Sequence, residues 1–150
     1  MTFVLFDTCI VLDLMQKREP FFDDAQRLFL AVANRRIKGC LTAKSVLDIY
    51  YLLYRANHSG EETKKSLVAL LKLFEILDTT GVDCRKAVLS GVSDFEDAVM
   101  AETALRERVD CIVTRNLRNF RNAAIRVLEP AGLIAEIYRE TVLNTVNFPL

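Results

Sequence analysis

The sequence predicts an α/β fold, a three-layer sandwich in which a five-stranded parallel sheet is flanked by helices. Three observations carry that expectation. Short apolar, β-prone runs alternate with segments of helical period along the whole chain. The strand runs lack the polar/apolar alternation of a sheet with one wet face, so both faces are expected to be covered. The 150 residues are 51 % hydrophobic, which suits one sizeable core, and no linker-like stretch divides the chain. A single domain over residues 1–150 is expected.

Residues Thr2 to Phe6 read as a buried strand that ends abruptly at Asp7-Thr8. Phe21 to Lys38 has helical spacing, with Ala25, Leu28, Phe29 and Val32 on one face and Gly39 as its stop. Cys40 to Thr42 forms a short second strand and Ala43 to Arg55 a strongly apolar helix in which Asp48 is the one charge of the central run. Glu61 to Leu73 is amphipathic through Leu67, Leu70 and Leu71, and Glu75 to Thr79 reads as the third strand. A short helix follows around Cys84 to Leu89. Ser93-Asp94-Phe95-Glu96 has the form of a capping box, with Ser93 as cap, opening a helix to about Arg108. Asp110 to Thr114 and Ile125 to Leu128 are the fourth and fifth strands, and a last helix begins near Ala131 after Glu129-Pro130.

Composition removes several function classes. No run approaches the roughly 18 apolar residues of a membrane span, and Asp7 interrupts the apolar N-terminus before a secretory core forms, so a cytoplasmic protein without membrane contact is expected. Cys9, Cys40, Cys84 and Cys111 are widely spaced and His58 stands alone, which argues against a zinc site or a disulfide framework and for small core residues. Cys9 as a nucleophile is disfavoured by the nearby Asp7, whose charge raises a thiol's pKa. The 20 basic and 20 acidic residues cancel, so a broad electrostatic grip on nucleic acid is not implied. Arg115, Arg118 and Arg121 nevertheless cluster in one short stretch.

Ligands of parallel α/β sheets bind beyond the carboxyl ends of the strands, where Asp7 and Asn116 must lie. Asp97 falls in the first turn of the helix before strand four, and βαβ crossovers can bring it to the same edge. Asp48 faces either a solvent strip or a polar pocket. Each acid also has a structural explanation: Asp7 as a turn or cap residue, Asp48 as a solvated partner of Lys44, Asp97 as a counter to the helix dipole. Taken together, clustered carboxylates repel, and a hard divalent cation relieves that repulsion. An oxygen-only set suits Mg2+ or Mn2+ better than zinc. A phosphate-transfer domain with Asp7 as nucleophile is the weaker rival, since no second acid stands two residues on and no glycine-rich phosphate loop is present.

Four segments carry a resemblance: Phe6-Asp7-Thr8-Cys9-Ile10-Val11-Leu12-Asp13-Leu14, Leu41-Thr42-Ala43-Lys44-Ser45-Val46-Leu47-Asp48, Asp94-Phe95-Glu96-Asp97-Ala98-Val99-Met100-Ala101 and Thr114-Arg115-Asn116-Leu117-Arg118-Asn119-Phe120. In order and spacing, over nearly the whole length, they resemble PIN-domain proteins of the VapC toxin type. The resemblance implies a PIN-like sandwich and a metal-dependent endoribonuclease with Asp7, Asp48 and Asp97 at the metal and Thr114 and Asn116 orienting water or phosphate. It further implies a cognate antitoxin protein and a homodimer. Lys44, Arg55, Arg115 and Arg118 are the expected contacts to RNA phosphates. Phe21, Phe22 and surplus apolar faces between residues 43 and 74 are consistent with a dimer surface, although core packing explains them equally well.

Two positions depart from the family pattern. The second acid is usually Glu, and Asp48 is shorter by about 1.5 Å, so its reach to metal is expected to run through water. Asn116 is neutral where many relatives carry a fourth acid, and it supplies no negative charge. The alternative reading is therefore a degenerate, noncatalytic PIN domain that binds RNA or protein.

Overall fold

The computed structural model describes residues 1–146; the last four of the domain read over 1–150 lie outside the described residues. The chain runs β1 (Phe3–Phe6), α1 (Thr8–Met15), α2 (Phe22–Ala33), β2 (Lys38–Thr42), α3 (Ala43–Asn57), α4 (Gly60–Leu73), β3 (Glu75–Leu77), α5 (Gly81–Leu89), α6 (Phe95–Arg106), β4 (Cys111–Val113), a 3-10 turn (Leu117–Phe120), β5 (Val127–Leu128) and α7 (Pro130–Val146). The five strands are all parallel, in the order β3-β2-β1-β4-β5. The expected α/β sandwich is present.

Both faces of the sheet are buried. Val4, Phe6, Leu41 and Val113 pack on one side against α1, α2, α3, α4 and α7, whereas Leu5, Cys40 and Ile112 pack on the other against Met100, Ala101 and Ala104 of α6. This two-sided burial is why the strands read as continuous apolar runs. Phe6, Phe29 and Phe74 meet edge to face, with ring centroids 5.0 to 5.9 Å apart, and join β1, α2 and the end of α4. Among the described residues no helix is long and apolar enough to cross a membrane.

The strand order sets the position of the site. The chain winds outward from β1 to β2 and β3, then returns to place β4 on the other side of β1. The carboxyl ends of β1 and β4 thus flank the point where the winding reverses, the usual place for a ligand crevice. Phe6 is in register with Val113, so the next residues, Asp7 and Thr114, leave the sheet side by side.

Three expectations are corrected. Helix α2 stops at Ala33 rather than Lys38, because Arg35 takes the left-handed conformation at φ 55° and turns the chain toward β2. Gly39 is not that stop: it lies in β2, where a Cβ would come 2.7 Å from the Phe74 ring and 2.9 Å from Val32. Helix α6 is capped by Asp94, which accepts from the Asp97 N–H at 3.1 Å, rather than by Ser93. The helix Thr8–Met15 has no counterpart among the expected elements. It is a short run with apolar residues on most sides, which periodicity cannot tell from strand or loop.

Helix α6 is tied to α5 by a buried carboxylate. Asp83, 1 % exposed, accepts from Arg106 Nε at 2.9 Å and Nη2 at 3.1 Å, from the Thr103 hydroxyl at 3.0 Å and from the Thr80 N–H at 2.9 Å. Burial alone would raise its pKa, but Arg106 and the Thr80 and Thr103 donors outweigh burial and bring it down to about 2.

Two predictions follow from these contacts. Gly39→Ala should lose about 1–3 kcal/mol in urea unfolding by overpacking, while Gly60→Ala, with its nearest neighbouring atom at 3.6 Å, should lose nothing; equal losses would contradict the packing account. A carboxyl with a depressed folded pKa stabilises above its unfolded pKa and loses that contribution as pH falls through the folded value. For Asp83 the stabilisation is roughly 2 kcal/mol, complete above about pH 5 and lost between about pH 4 and pH 2. The stability gap between wild type and Asp83→Asn should close over that interval in acid titrations, and a gap independent of pH would refute the assignment.

Candidate metal centre at the switch of the sheet

Asp7 occupies the N-cap position of α1, yet its side chain makes no capping hydrogen bond. The carboxylate instead turns toward the neighbouring strand end. Its Oδ2 accepts from the Thr114 hydroxyl at 2.7 Å and from the Cys9 thiol at 3.5 Å. Thr114 is fully buried, and its Oγ1 accepts in turn from the Asn116 N–H at 2.9 Å. Burial and then the Asp7 charge push the Cys9 thiol up to about 11, which leaves it unreactive near neutral pH.

Asp97 lies in the first turn of α6, half-buried. Its Oδ2 accepts from the Asn119 amide at 2.9 Å, a contact that joins α6 to the 3-10 turn after β4. Burial is the main reason its pKa rises to about 6; the Asn119 donor opposes the rise, and the charges of Asp7, Asp94 and Glu96 add to it. Asp7 and Asp97 therefore stand close enough to repel. Among the described residues neither has a salt-bridge partner, although Asp7 is only 7 % exposed.

Asp48 is placed differently. Its Oδ2 lies 2.5 Å from Lys44 Nζ one turn earlier on α3, and the same ammonium also pairs with Glu96 of α6. Partial burial would lower the Lys44 pKa, but hydrogen bonds to the two carboxylates outweigh it and raise it. Among the described residues no group of three His, Cys, Asp or Glu side chains stands close enough to hold a metal ion. The structure thus brings Asp7 and Asp97 into mutual electrostatic reach and leaves Asp48 with Lys44.

The remaining sequence candidates separate in the same way. Arg115 is committed inward: its Nε and Nη2 grip the buried Asp13 at 2.6 and 3.0 Å, and its guanidinium lies 3.9 Å over the Phe21 ring. Arg55, Arg118 and Asn116 are exposed. Sequence reasoning missed Asp13, Glu96 and Asn119. Asp13 had a signal, an acid inside an apolar run, whereas Asn119 and Glu96 are set by the turn after β4 and by the reach of Lys44.

The donor chemistry fits a hard divalent cation at Asp7 and Asp97. A buried carboxylate without a salt-bridge partner, within charge reach of a second carboxylate, is costly unless a cation joins them. Magnesium commonly takes only one or two direct carboxylates and fills its other positions with water.

Comparison with known proteins agrees with the architecture. Residues 3–118 match the family model described as PIN domain. No curated protein sequence matches the chain. Among solved structures, the fold is similar to a chain of VapBC2 from Rickettsia felis bound to a DNA fragment from their promoter, with 15 % identity, TM-score 0.62, and coverage of 84 % of this chain and 97 % of that one. A toxin-antitoxin complex from Klebsiella pneumoniae aligns at 22 % identity and TM-score 0.61, over 85 % and 97 % of the two chains. FitAcB from Neisseria gonorrhoeae aligns at 18 % identity and TM-score 0.64, over 85 % and 98 %. Its matched segment and its fold together show that this chain belongs to the PIN domain family.

Proposed function

We propose that this chain is a single-domain, Mg2+- or Mn2+-dependent endoribonuclease, the toxin of a cytoplasmic toxin–antitoxin pair. The observation that carries the reading is the buried Asp7 carboxylate, which sits at a helix N-cap without making the capping hydrogen bond, has no salt-bridge partner among the described residues and lies within charge reach of Asp97. Asp7 and Asp97 would hold the ion, with Asp48 reaching it through water. When bound, such an ion supplies Lewis-acid polarisation of a phosphodiester and lowers the pKa of a water molecule.

The side chains around it have separate tasks. The Thr114 hydroxyl fixes Asp7 Oδ2 and leaves Oδ1 for the ion, while the Asn119 amide does the same for Asp97. Asn116 contributes its backbone N–H to hold Thr114, and its exposed amide is available to a phosphate oxygen or water. Exposed Arg55 and Arg118, with Lys44, supply positive charge for RNA phosphates. Arg115, locked to Asp13, contributes mainly by bracing the turn that carries Asn116 and Asn119.

An apolar stripe supports the partner part of the reading. Leu47, Tyr51 and Tyr54 of α3 are 71, 60 and 42 % exposed, and Val68 and Leu71 of α4 are 51 and 48 % exposed. At spacings of three and four residues they share helix faces, which suits a homodimer or an antitoxin segment. The pairing of Asp48 with Lys44 favours one second reading, a noncatalytic PIN domain that binds RNA or protein.

The test is cleavage of a panel of structured RNAs with manganese, magnesium or chelator, beside Asp97→Asn prepared identically. The nuclease reading expects metal-dependent cutting that falls in the variant by at least the ~10–100-fold typical of losing an outer-shell partner. Equal cutting by both proteins would refute the site, and no cutting in any condition would favour the noncatalytic reading.

A further inference from the structure

Lys44 is a cation supplied by the chain itself to the acids of α3 and α6. Its Nζ lies 2.5 Å from Asp48 Oδ2 and also pairs with Glu96 Oε1, so one ammonium joins carboxylates from two different helices. The lysine is held in place: its backbone N–H donates to Thr79 Oγ1 at 3.4 Å, and Lys44 and Glu96 border a narrow crevice with Thr42, Ser45 and Thr79. Glu96 shares the first turn of α6 with Asp97, and its charge is one of those that raise the Asp97 carboxyl, so the two pairs of acids are within charge reach of each other. The two pairs differ in one respect. Asp48 and Glu96 have a salt-bridge partner built in, whereas Asp7 and Asp97 have none among the described residues.

We propose that Lys44 sets the cation count of the site: its ammonium fills the place between Asp48 and Glu96, so that a single divalent ion binds, on Asp7 and Asp97. The inference rests on the metal-centre reading above and adds to it. A second ion would have to displace a tethered ammonium from two charge-assisted hydrogen bonds, and that tether makes the displacement unfavourable. Two of the three ammonium donors are used, leaving one for a substrate phosphate oxygen. Without Lys44, the carboxylates of Asp48 on α3 and Glu96 on α6 would lose the cation that now joins them, a setting that draws in a hard dication.

Counting bound manganese on the full chain, without RNA, by calorimetric titration and by the spin-resonance signal of the free ion tests this. Wild type and Lys44→Arg should bind one ion, and Lys44→Ala should bind two. Two ions on wild type, or one on Lys44→Ala, would overturn the role of Lys44 while leaving the metal centre standing. No ion on any of the proteins would overturn the metal centre itself, and the inference with it. Because Lys44 is partly exposed, far-ultraviolet circular dichroism of Lys44→Ala should match wild type, and the count is read on that folded protein.

Discussion

The hydrogen bond from Thr114 to Asp7 is the contact on which the site depends. It joins the residues that follow the two central strands, β1 and β4, at the point where the sheet reverses its winding. A carboxylate at a helix N-cap normally accepts from the first-turn N–H groups. Here it is drawn sideways instead, and the register of Phe6 with Val113 makes that direction available. Because Thr114 is fully buried and held in turn by the Asn116 N–H, Asp7 Oδ2 is fixed, and no described side chain forms a salt bridge with it.

Two buried ion pairs support that geometry from either side. Asp13 and Arg115 join α1 to the turn after β4, and Asp83 and Arg106 join α5 to α6. Both acids are 1 % exposed, and both are met by an arginine through two nitrogens. Such pairs add little net stability over apolar packing, but breaking one leaves a buried charge without a partner. Their effect here is positional: one braces the segment carrying Asn116 and Asn119, the other seats the helix carrying Asp97. The charges at the site are therefore sorted by partner, with arginine for the structural acids, lysine for Asp48 and Glu96, and none for Asp7 and Asp97.

Much of the architecture was legible because both faces of the sheet are covered, so strands read as uninterrupted apolar runs between helical periods. Asp7 and Asp97 were legible as acids at strand-end and helix-start positions. Helix α1 was not, because eight largely apolar residues carry no distinguishing period, and its loss hid Asp13. The misplaced stop at Gly39 has a similar cause: a glycine required by the close approach of Phe74 looks in sequence like a glycine required by a turn. Asp48 was legible as a partner of Lys44 from the four-residue helical spacing, whereas the contacts of Lys44 with Glu96, Arg115 with Asp13 and Asp97 with Asn119 could not be read, since separations such as 102 residues between Arg115 and Asp13 are set by topology alone.

The central claim is that Asp7 and Asp97 form a divalent-cation centre. Thermal unfolding with and without manganese, on wild type, Asp7→Asn and Asp97→Asn, tests it without requiring a substrate. Wild type should melt higher by on the order of 5 °C at saturating manganese, and both variants should lose that shift while being no less stable than wild type in chelator, because one repelling charge is gone. An equal shift in all three proteins would contradict the account and place the metal elsewhere.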